Sequence, residues 1–399
     1  MIIGLLGKAN VGKSTFFNSA TDSFAQIANF PFTTIESNVG IAFVRVNCVC
    51  REIGVTDNPI NSKCINGSRF IPVKLIDIAG LVPGAHSGRG LGNKFLDDAR
   101  QADAIIHVVD ISGSTDEEGK PVATGIRNPL LDIEFVENEF DLWIQSLILK
   151  DWDKIVKESE NFKQRIEFTI SKRLSGLSIN EKVIHDAMKF NGLNKKPIEW
   201  NKDELFILCK QIRLLSKPII IAANKADLTH SDQNVHKLKT LNRLFFTSIS
   251  EAELLLKRAS QKNLIYYLPG DSDFEVKNPN ILTSKQTEAL NKVEEILKKF
   301  NSTGVQKIIN YICFNALNNI VVYPVEDEFR FTDKKNNVLP DARIVSKDTT
   351  AKELANLIHK DLGKGFLYAI DIRTKQRIGA DHALKNNDII KIVSTTSRN

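Results

Sequence analysis

The octapeptide Gly7-Lys8-Ala9-Asn10-Val11-Gly12-Lys13-Ser14 constrains this chain more than any other stretch. It follows a short apolar run, Ile2 to Leu6, and precedes the helix-compatible Thr15-Phe16-Phe17-Asn18. Strand, glycine-rich loop and helix in that order make a phosphate cradle. Backbone N–H groups and the positive end of the helix point at an anion, the lysine reaches the terminal phosphates, and the hydroxyl ligates Mg²⁺. Glycine is needed where the backbone turns through positive φ or closely approaches the ligand. Gly7, Asn10, Val11, Gly12, Lys13, Ser14 and Thr15 are therefore expected around a nucleotide's phosphates, with Lys13 also assisting catalysis. The implied fold class is α/β, a P-loop NTPase with a doubly wound, mostly parallel sheet.

Further nucleotide-contacting segments follow in order. The apolar run Val73 to Ile76 leads into Asp77-Ile78-Ala79-Gly80, which puts a carboxylate at the C-terminal end of a buried strand. There Asp77 is placed to hold Mg²⁺ through water, and the Gly80 N–H to meet a γ-phosphate. Between the two segments lies Phe30-Pro31-Phe32-Thr33-Thr34. A threonine in such a loop completes the metal shell only while the γ-phosphate is present, which is the physical basis of a switch. Behind a further strand, Pro218 to Ala223, stands Asn224-Lys225-Ala226-Asp227. A carboxylate is acceptor-only and matches the two donors on guanine N1 and N2, whereas adenine offers an acceptor at N1. Adenine would leave buried polar groups unpaired at ~1–3 kcal/mol each, so Asp227 selects GTP and GDP. Ser248-Ile249-Ser250, after the strand-like Leu244 to Thr247, stands where a backbone N–H reads the guanine O6.

Composition fits such a chain. With 399 residues, 42% hydrophobic and 26% charged, two or three globular domains are expected, and collagen, coiled-coil rod and disordered tail are excluded. The net charge of +6 favours acidic partners only slightly. Five cysteines, Cys48, Cys50, Cys64, Cys209 and Cys313, make an odd and scattered set, which points to a reducing, cytoplasmic setting rather than a disulfide framework. The longest apolar runs are strand-sized, so no membrane span is expected. An apolar strand running from Met1 straight into a functional loop does not read as a signal peptide.

With these segments aligned, the chain resembles the translation-factor-like GTPases of the Obg superfamily, most closely the YchF-related archaeal branch that carries a TGS domain. The likeness rests on Asn29 to Gly40, Asp77 to Arg100 with Gly80-Leu81-Val82-Pro83-Gly84-Ala85-His86, and Asp341 to Ser394. It implies that Thr34, rather than Thr33, is the switch threonine and a Mg²⁺ ligand beside Ser14 and Asp77. Bacterial and eukaryotic YchF-type proteins replace the lysine–aspartate part of the base-reading motif and can prefer ATP; Lys225 and Asp227 are intact here. Leu81 stands where many regulatory GTPases carry the glutamine that orients water, so hydrolysis must be slow or otherwise assisted. Two candidates are His86, as a group that positions or deprotonates water, and Asn10, which in related GTPases holds K⁺ against the phosphates.

The implied domain plan is a GTPase domain over residues 1–127 and 217–317, a helical insertion over 128–216, and a TGS domain over 318–399. About 100 residues between Asp110 and Pro218 far exceed one crossover helix. Phe140, Trp143, Ile144, Leu147 and Ile148, then Trp152, Ile155 and Val156, recur at helical spacing, and Asn201 with Glu204 reads as a capping box. These helices either pack on the GTPase domain or form a partner-binding arm. Thr283 to Leu317 reads as two closing helices. Asn319–Tyr323 with Glu328–Thr332 reads as a strand pair, Thr350 with Glu353 caps a helix, and Phe366–Ile370 and Ile389–Val393 complete a β-grasp. Such a module binds RNA or the ribosome, or only packs on its own GTPase. Cys48, Cys50 and Cys64 read as reduced thiols, because a structural zinc site needs four ligands and no nearby histidine supplies the fourth. Three functions stay open: a GTP-hydrolysing switch on the translation machinery, a non-catalytic guanine-nucleotide sensor, and a stress-response hydrolase with no ribosomal partner.

Overall fold

Continuous apolar runs form the middle of a seven-stranded sheet, because strands buried on both faces carry hydrophobic residues at nearly every position. The computed structural model describes residues 1–21, 38–78, 98–161, 164–177, 179–241 and 243–395. The sheet comprises β1 (Ile2–Leu6), β2 (Val39–Asn47), β3 (Lys63–Ile65), β4 (Ser68–Asp77), β5 (Ala104–Asp110), β6 (Ile219–Asn224) and β7 (Phe245–Ser248), in the order β2-β4-β1-β5-β6-β7 with β3 also on β4. From β4 to β7 all pairings are parallel, while β2 and β3 run antiparallel to β4. This is the P-loop GTPase architecture, and the parallel strands point their C-terminal ends at one edge.

Helix α1 (Lys13–Thr21) leaves the loop after β1 and packs Phe16 and Ala20 against Ile3, Leu5 and Ile106. A four-residue helix, α2 (Cys50–Ile53), lies between β2 and β3. Between β5 and β6 come α3 (Pro129–Leu149), α4 (Trp152–Asn161), α5 (Ile166–Arg173), α6 (Glu181–Phe190) and α7 (Lys202–Ser216). Asn128 caps α3, and Asn201 with Glu204 forms the complete capping box that opens α7. These helices share one core with the sheet, in which Phe140, Trp143 and Ile144 meet Leu6, Ile76 and Ile105. Within the helical layer Arg213 and Asp141, both buried, join α7 to α3 at 2.5 and 3.2 Å.

Helices α8 (Ser231–Thr240) and α9 (Ser250–Gln261) flank β7, a short ribbon pairs β8 (Ile265–Tyr266) with β9 (Glu275–Val276), and α10 (Ser284–Phe300) and α11 (Val305–Tyr311) close the domain. The remaining chain forms a five-stranded sheet, with β10 (Asn319–Val325), β11 (Arg343–Ser346), β12 (Phe366–Asp371), β13 (Gln376–Ile378) and β14 (Asp388–Ser394) in the order β11-β10-β14-β12-β13. Helices α12 (Ala351–Ile358) and α13 (Lys360–Lys364) accompany it, α12 opening on the Thr350–Glu353 capping box. One expectation is corrected here. The antiparallel partner of β10 is Arg343–Ser346, not Glu328–Thr332. Asp327 accepts the N–H groups of Phe329 and Arg330 at 2.8 and 2.9 Å, and Phe331 sits at φ 57, so that segment is a turn.

Candidate nucleotide site

The phosphate loop is shaped by two left-handed residues, Asn10 (φ 62) and Gly12 (φ 91). At Gly12 a β-carbon would lie 2.3 Å from Asn224 Nδ2, so glycine is required by contact as well as by conformation. The Gly12 carbonyl accepts the Phe16 N–H at 2.8 Å, closing the first turn of α1. Lys13 opens that helix and forms an ion pair with Asp77 Oδ1 at the C-terminal end of β4. Ser14 is exposed on the same turn, Thr15 is half-buried and Val11 is buried beneath the loop. Gly7 is packed against the Val108 carbonyl, leaving no room for a side chain.

Asn224, at the end of β6, is the hub of the site. Its Nδ2 donates to the Val11 carbonyl at 3.0 Å, and its Oδ1 accepts from the Ser250 N–H at 3.2 Å, the Ser250 hydroxyl at 2.9 Å and the Ser248 hydroxyl at 3.4 Å. The phosphate loop and the two segments expected to read the base are therefore one hydrogen-bonded unit. Lys225 takes the left-handed conformation (φ 60) and donates to Asp110 Oδ2 at 2.9 Å and Ser114 Oγ at 3.3 Å. Burial would raise the Asp110 pKa, but donors from Ser112, Lys225 and Ser114 outweigh it and hold the carboxylate below its ordinary range. Two residues on, Asp227 is exposed.

The Ile249 N–H does not stand free to read a base, contrary to the expectation for that loop. It donates to the Thr303 carbonyl at 2.8 Å, and Ile249 itself is buried. Gly304 (φ 86), whose missing β-carbon would fall 2.0 Å from the Thr247 carbonyl, lets the Thr303 segment come this close. The Ser250 N–H is likewise engaged, by Asn224. Asn10 donates its amide to the Gly119 carbonyl at 2.8 Å. Thr34, Gly80, Leu81 and His86 lie outside the described residues.

The loop after β5 went unread in the sequence, yet it forms one wall of the site. Lys8 donates to the carbonyls of Thr115 and Asp116 at 3.2 and 2.6 Å and pairs with Asp132 at 2.6 Å, while Gly119 packs on Ala9. The available signal was Asp110-Ile111-Ser112-Gly113-Ser114, a carboxylate followed by small hydroxyl residues at a strand's C-terminal end. Behind the phosphate loop lies a cavity of about 280 Å³ that is lined in part by His107.

Comparison with known proteins agrees with this geometry. Residues 2–138 match the family described as "50S ribosome-binding GTPase", residues 222–327 match "Obg-like GTPase YGR210-like, G4 motif-containing domain", and residues 335–394 match the TGS domain. A GTP-binding protein of Methanocaldococcus jannaschii is 49% identical over 395 residues, covering 98% of this chain and 99% of the relative. The chain belongs to the Obg-like GTPases that carry a TGS domain. A GTP-binding protein of Schizosaccharomyces pombe is 34% identical, with 90% of each chain covered. The crystal structure of a GTP-binding protein from Pyrococcus horikoshii superposes on this GTPase with a TM-score of 0.78 at 38% identity, covering 99% of this chain and all of that one. The YchF GTPase of Schizosaccharomyces pombe, at 21% identity and a TM-score of 0.60, shares the fold. Obg-like ATPase 1 of Rattus norvegicus is 28% identical over 381 residues, covering 92% of this chain and 81% of the relative.

Proposed function

We propose that this GTPase is a molecular switch that hydrolyses GTP to GDP and phosphate and engages the translation machinery through its TGS domain and helical layer. The observation that carries the reading is the Asn224 hub, which ties the phosphate loop to the strand end that exposes the Asp227 carboxylate. Guanine N1–H and N2–H both meet an acceptor at Asp227, so discrimination rests on this carboxylate, with the Ile249 N–H engaged elsewhere.

Ser14, Thr34 and Asp77 supply hard oxygen donors suited to Mg²⁺, which when bound neutralises charge on the β- and γ-phosphates. Lys13, now paired with Asp77, would supply its positive charge to the same phosphates. Thr34 and Gly80 sense the γ-phosphate. His86 would position or deprotonate the attacking water; alternatively the Asn10 side-chain oxygen, whose amide nitrogen is fixed on Gly119, would hold K⁺, which would offset charge on the phosphates. The TGS match and the description of the GTPase family as ribosome-binding support an RNA or ribosomal partner. So does an exposed basic tip, Lys375 and Arg377, where the Arg377 guanidinium covers the Tyr368 ring at 4.6 Å. Five cysteines, an odd number and all unbridged, support a reducing, cytoplasmic setting.

Two measurements test the proposal. Asp227→Asn is expected to lower the preference for GTP over ATP at least tenfold, from ~1–3 kcal/mol per unpaired guanine donor; an unchanged preference removes Asp227 from the base pocket. Co-sedimentation with ribosomes in the GTP-analogue, GDP and apo states is expected to be strongest with the analogue. Equal absence in all three removes the ribosomal partner.

A further inference from the structure

The extension between β2 and β4 brings three cysteines and one aspartate to a single point. Cys48 follows β2, its N–H donating to the Gly67 carbonyl at 2.8 Å. Cys50 opens α2, which ends at Gly54 in the left-handed region (φ 71), so the chain turns back at once. Cys64 lies on β3 opposite Arg69 of β4. These turns place one ligand atom from each of Cys48, Cys50, Asp57 and Cys64 within 4.8 Å of all the others. Cys50 Sγ is 3.8 Å from Cys64 Sγ, and Cys48 Sγ is 3.2 Å from Asp57 Oδ2. A tetrahedral zinc with bonds of about 2.3 Å to sulfur and about 2.0 Å to oxygen needs edges of about 3.8 Å between sulfurs and about 3.5 Å between sulfur and oxygen.

We propose that Cys48, Cys50, Asp57 and Cys64 form a structural Zn²⁺ site that fixes the seat of the TGS domain on the GTPase domain. The fourth ligand missing from the sequence reading is a carboxylate, seven residues beyond Cys50. Arg69, fully buried, donates to Asp57 at 2.7 Å; it orients the carboxylate and offsets part of the charge of three thiolates and one carboxylate. The Tyr323 hydroxyl, buried in the same cluster, has no acceptor for its proton among the described residues and is a donor suited to a metal-bound sulfur. Thiolate-rich tetrahedral sets select zinc over magnesium and calcium. A Cys50–Cys64 disulfide would leave Cys48 odd, and the Asp57 carboxylate paired only with Arg69 although Cys48 Sγ lies 3.2 Å from it.

The consequence follows from what the extension touches. Cys48, Val49 and Cys50 share a core with Val321, Tyr323, Leu339 and Ile389 of the TGS domain. Asn58 N–H donates to the Val338 carbonyl at 3.1 Å, Ile60 N–H to Pro340 at 2.8 Å, and Arg69 Nη2 to Leu339 at 2.5 Å. An extension of short turns has little secondary structure to hold its shape, and a metal closing it presents these donors in one arrangement.

The test uses the full chain, purified without a metal-binding tag from zinc-supplemented culture. Mass spectrometry of the metal content is expected to give one zinc per chain, released by a mercurial thiol reagent. Asp57→Ala and Cys64→Ser are each expected to weaken zinc retention against a chelator at least tenfold, while guanine-nucleotide affinity stays within about twofold, showing that the GTPase domain is folded. Limited proteolysis of either variant is expected to separate the TGS domain faster than in wild type. Where a variant fails to fold, Co²⁺ added to metal-stripped wild type supplies the answer, through the visible bands and sulfur-to-metal charge transfer of a tetrahedral thiolate site. Zinc well below one per chain together with no cobalt spectrum, zinc retained unchanged in both variants, or a Cys50–Cys64 disulfide in freshly purified protein would each overturn the proposal.

Discussion

Replacing His107 by leucine is expected to flatten the acid limb of this protein's stability curve. His107 lies mid-strand on β5, 2% exposed, with its Nδ1 buried and unpartnered among the described residues. The cavity beside it is lined by Lys8, Glu117, Arg127 and Asp132 as well as Phe135 and Val136 of α3, but Lys8 and Arg127 are themselves paired with Asp132. Burial lowers the histidine pKa from 6.5 to about 3, so the folded state keeps the ring neutral while the unfolded chain takes up a proton. The sign follows from that difference. Above pH 6.5 neither state is charged and stability is intact; as pH falls from 6.5 towards 3 the unfolded state gains a proton that the native state refuses, and stability is lost. Between pH 7 and pH 4.5 the loss is close to two pH units' worth, about 2–3 kcal/mol. Urea unfolding followed by tryptophan fluorescence reports it, since Trp143 on α3 shares a core with Ile105 on the same strand. The wild-type-minus-leucine difference cancels the other titrating groups. Curves that stay parallel to within about 0.5 kcal/mol across this range would show that His107 is solvated or charged in the native state.

Two further outcomes follow from single contacts. Arg213→Met leaves the Asp141 carboxylate, 1% exposed, without its partner and should cost about 3–5 kcal/mol in denaturant unfolding, whereas the double replacement with Asp141→Leu should cost less; a single-variant loss under about 1 kcal/mol would mean that water reaches the pair. Gly12→Ala places a methyl group 2.3 Å from Asn224 Nδ2 at φ 91, so fluorescent GDP should bind about tenfold or more weakly, with about 1–2 kcal/mol of stability lost to the left-handed backbone; unchanged binding would show that the Asn224–Val11 hydrogen bond is dispensable.

What was legible in the sequence depended on how local the chemistry is. The phosphate loop is backbone chemistry enforced by glycine and a following helix, so eight consecutive residues carry it. Asn224 was legible for the same reason, since it ends the apolar strand β6. Lys8, Asp110 and Gly119 were not, because their roles arise from contacts more than 100 residues apart in sequence, as in the Lys8–Asp116 and Lys225–Asp110 hydrogen bonds. Asp57 was invisible as a ligand because an aspartate between two turns is ordinary until β3 folds Cys64 back beside it. The Ile249 loop fits the motif by order, yet its N–H is captured by Thr303, a partner from a segment with no motif of its own.

The antiparallel pair of β2 and β4 joins the two regions that most concern function. At one end Val39 stands opposite Ile76, next to Asp77 and its partner Lys13; at the other Asn47 stands opposite Ser68, next to Cys48 and Arg69. Nine residues of strand at about 3.3 Å each span roughly 30 Å. Backbone hydrogen bonds run without a register break along this length, and the Phe43 and Arg45 carbonyls are held from the side by Gln306 and Asn310 of α11 at 2.7 and 2.8 Å. A continuous ladder held from the side in this way favours carrying a displacement at its phosphate end to its far end as a tilt of the whole pair. The TGS seat is built on that far end, through Asn58, Ile60 and Arg69. If Asp77 holds Mg²⁺ as proposed, the proposed metal ligand and the surface that holds the C-terminal domain share one element, and a seat locked at Cys48, Cys50, Asp57 and Cys64 would turn with that ribbon instead of slipping against it.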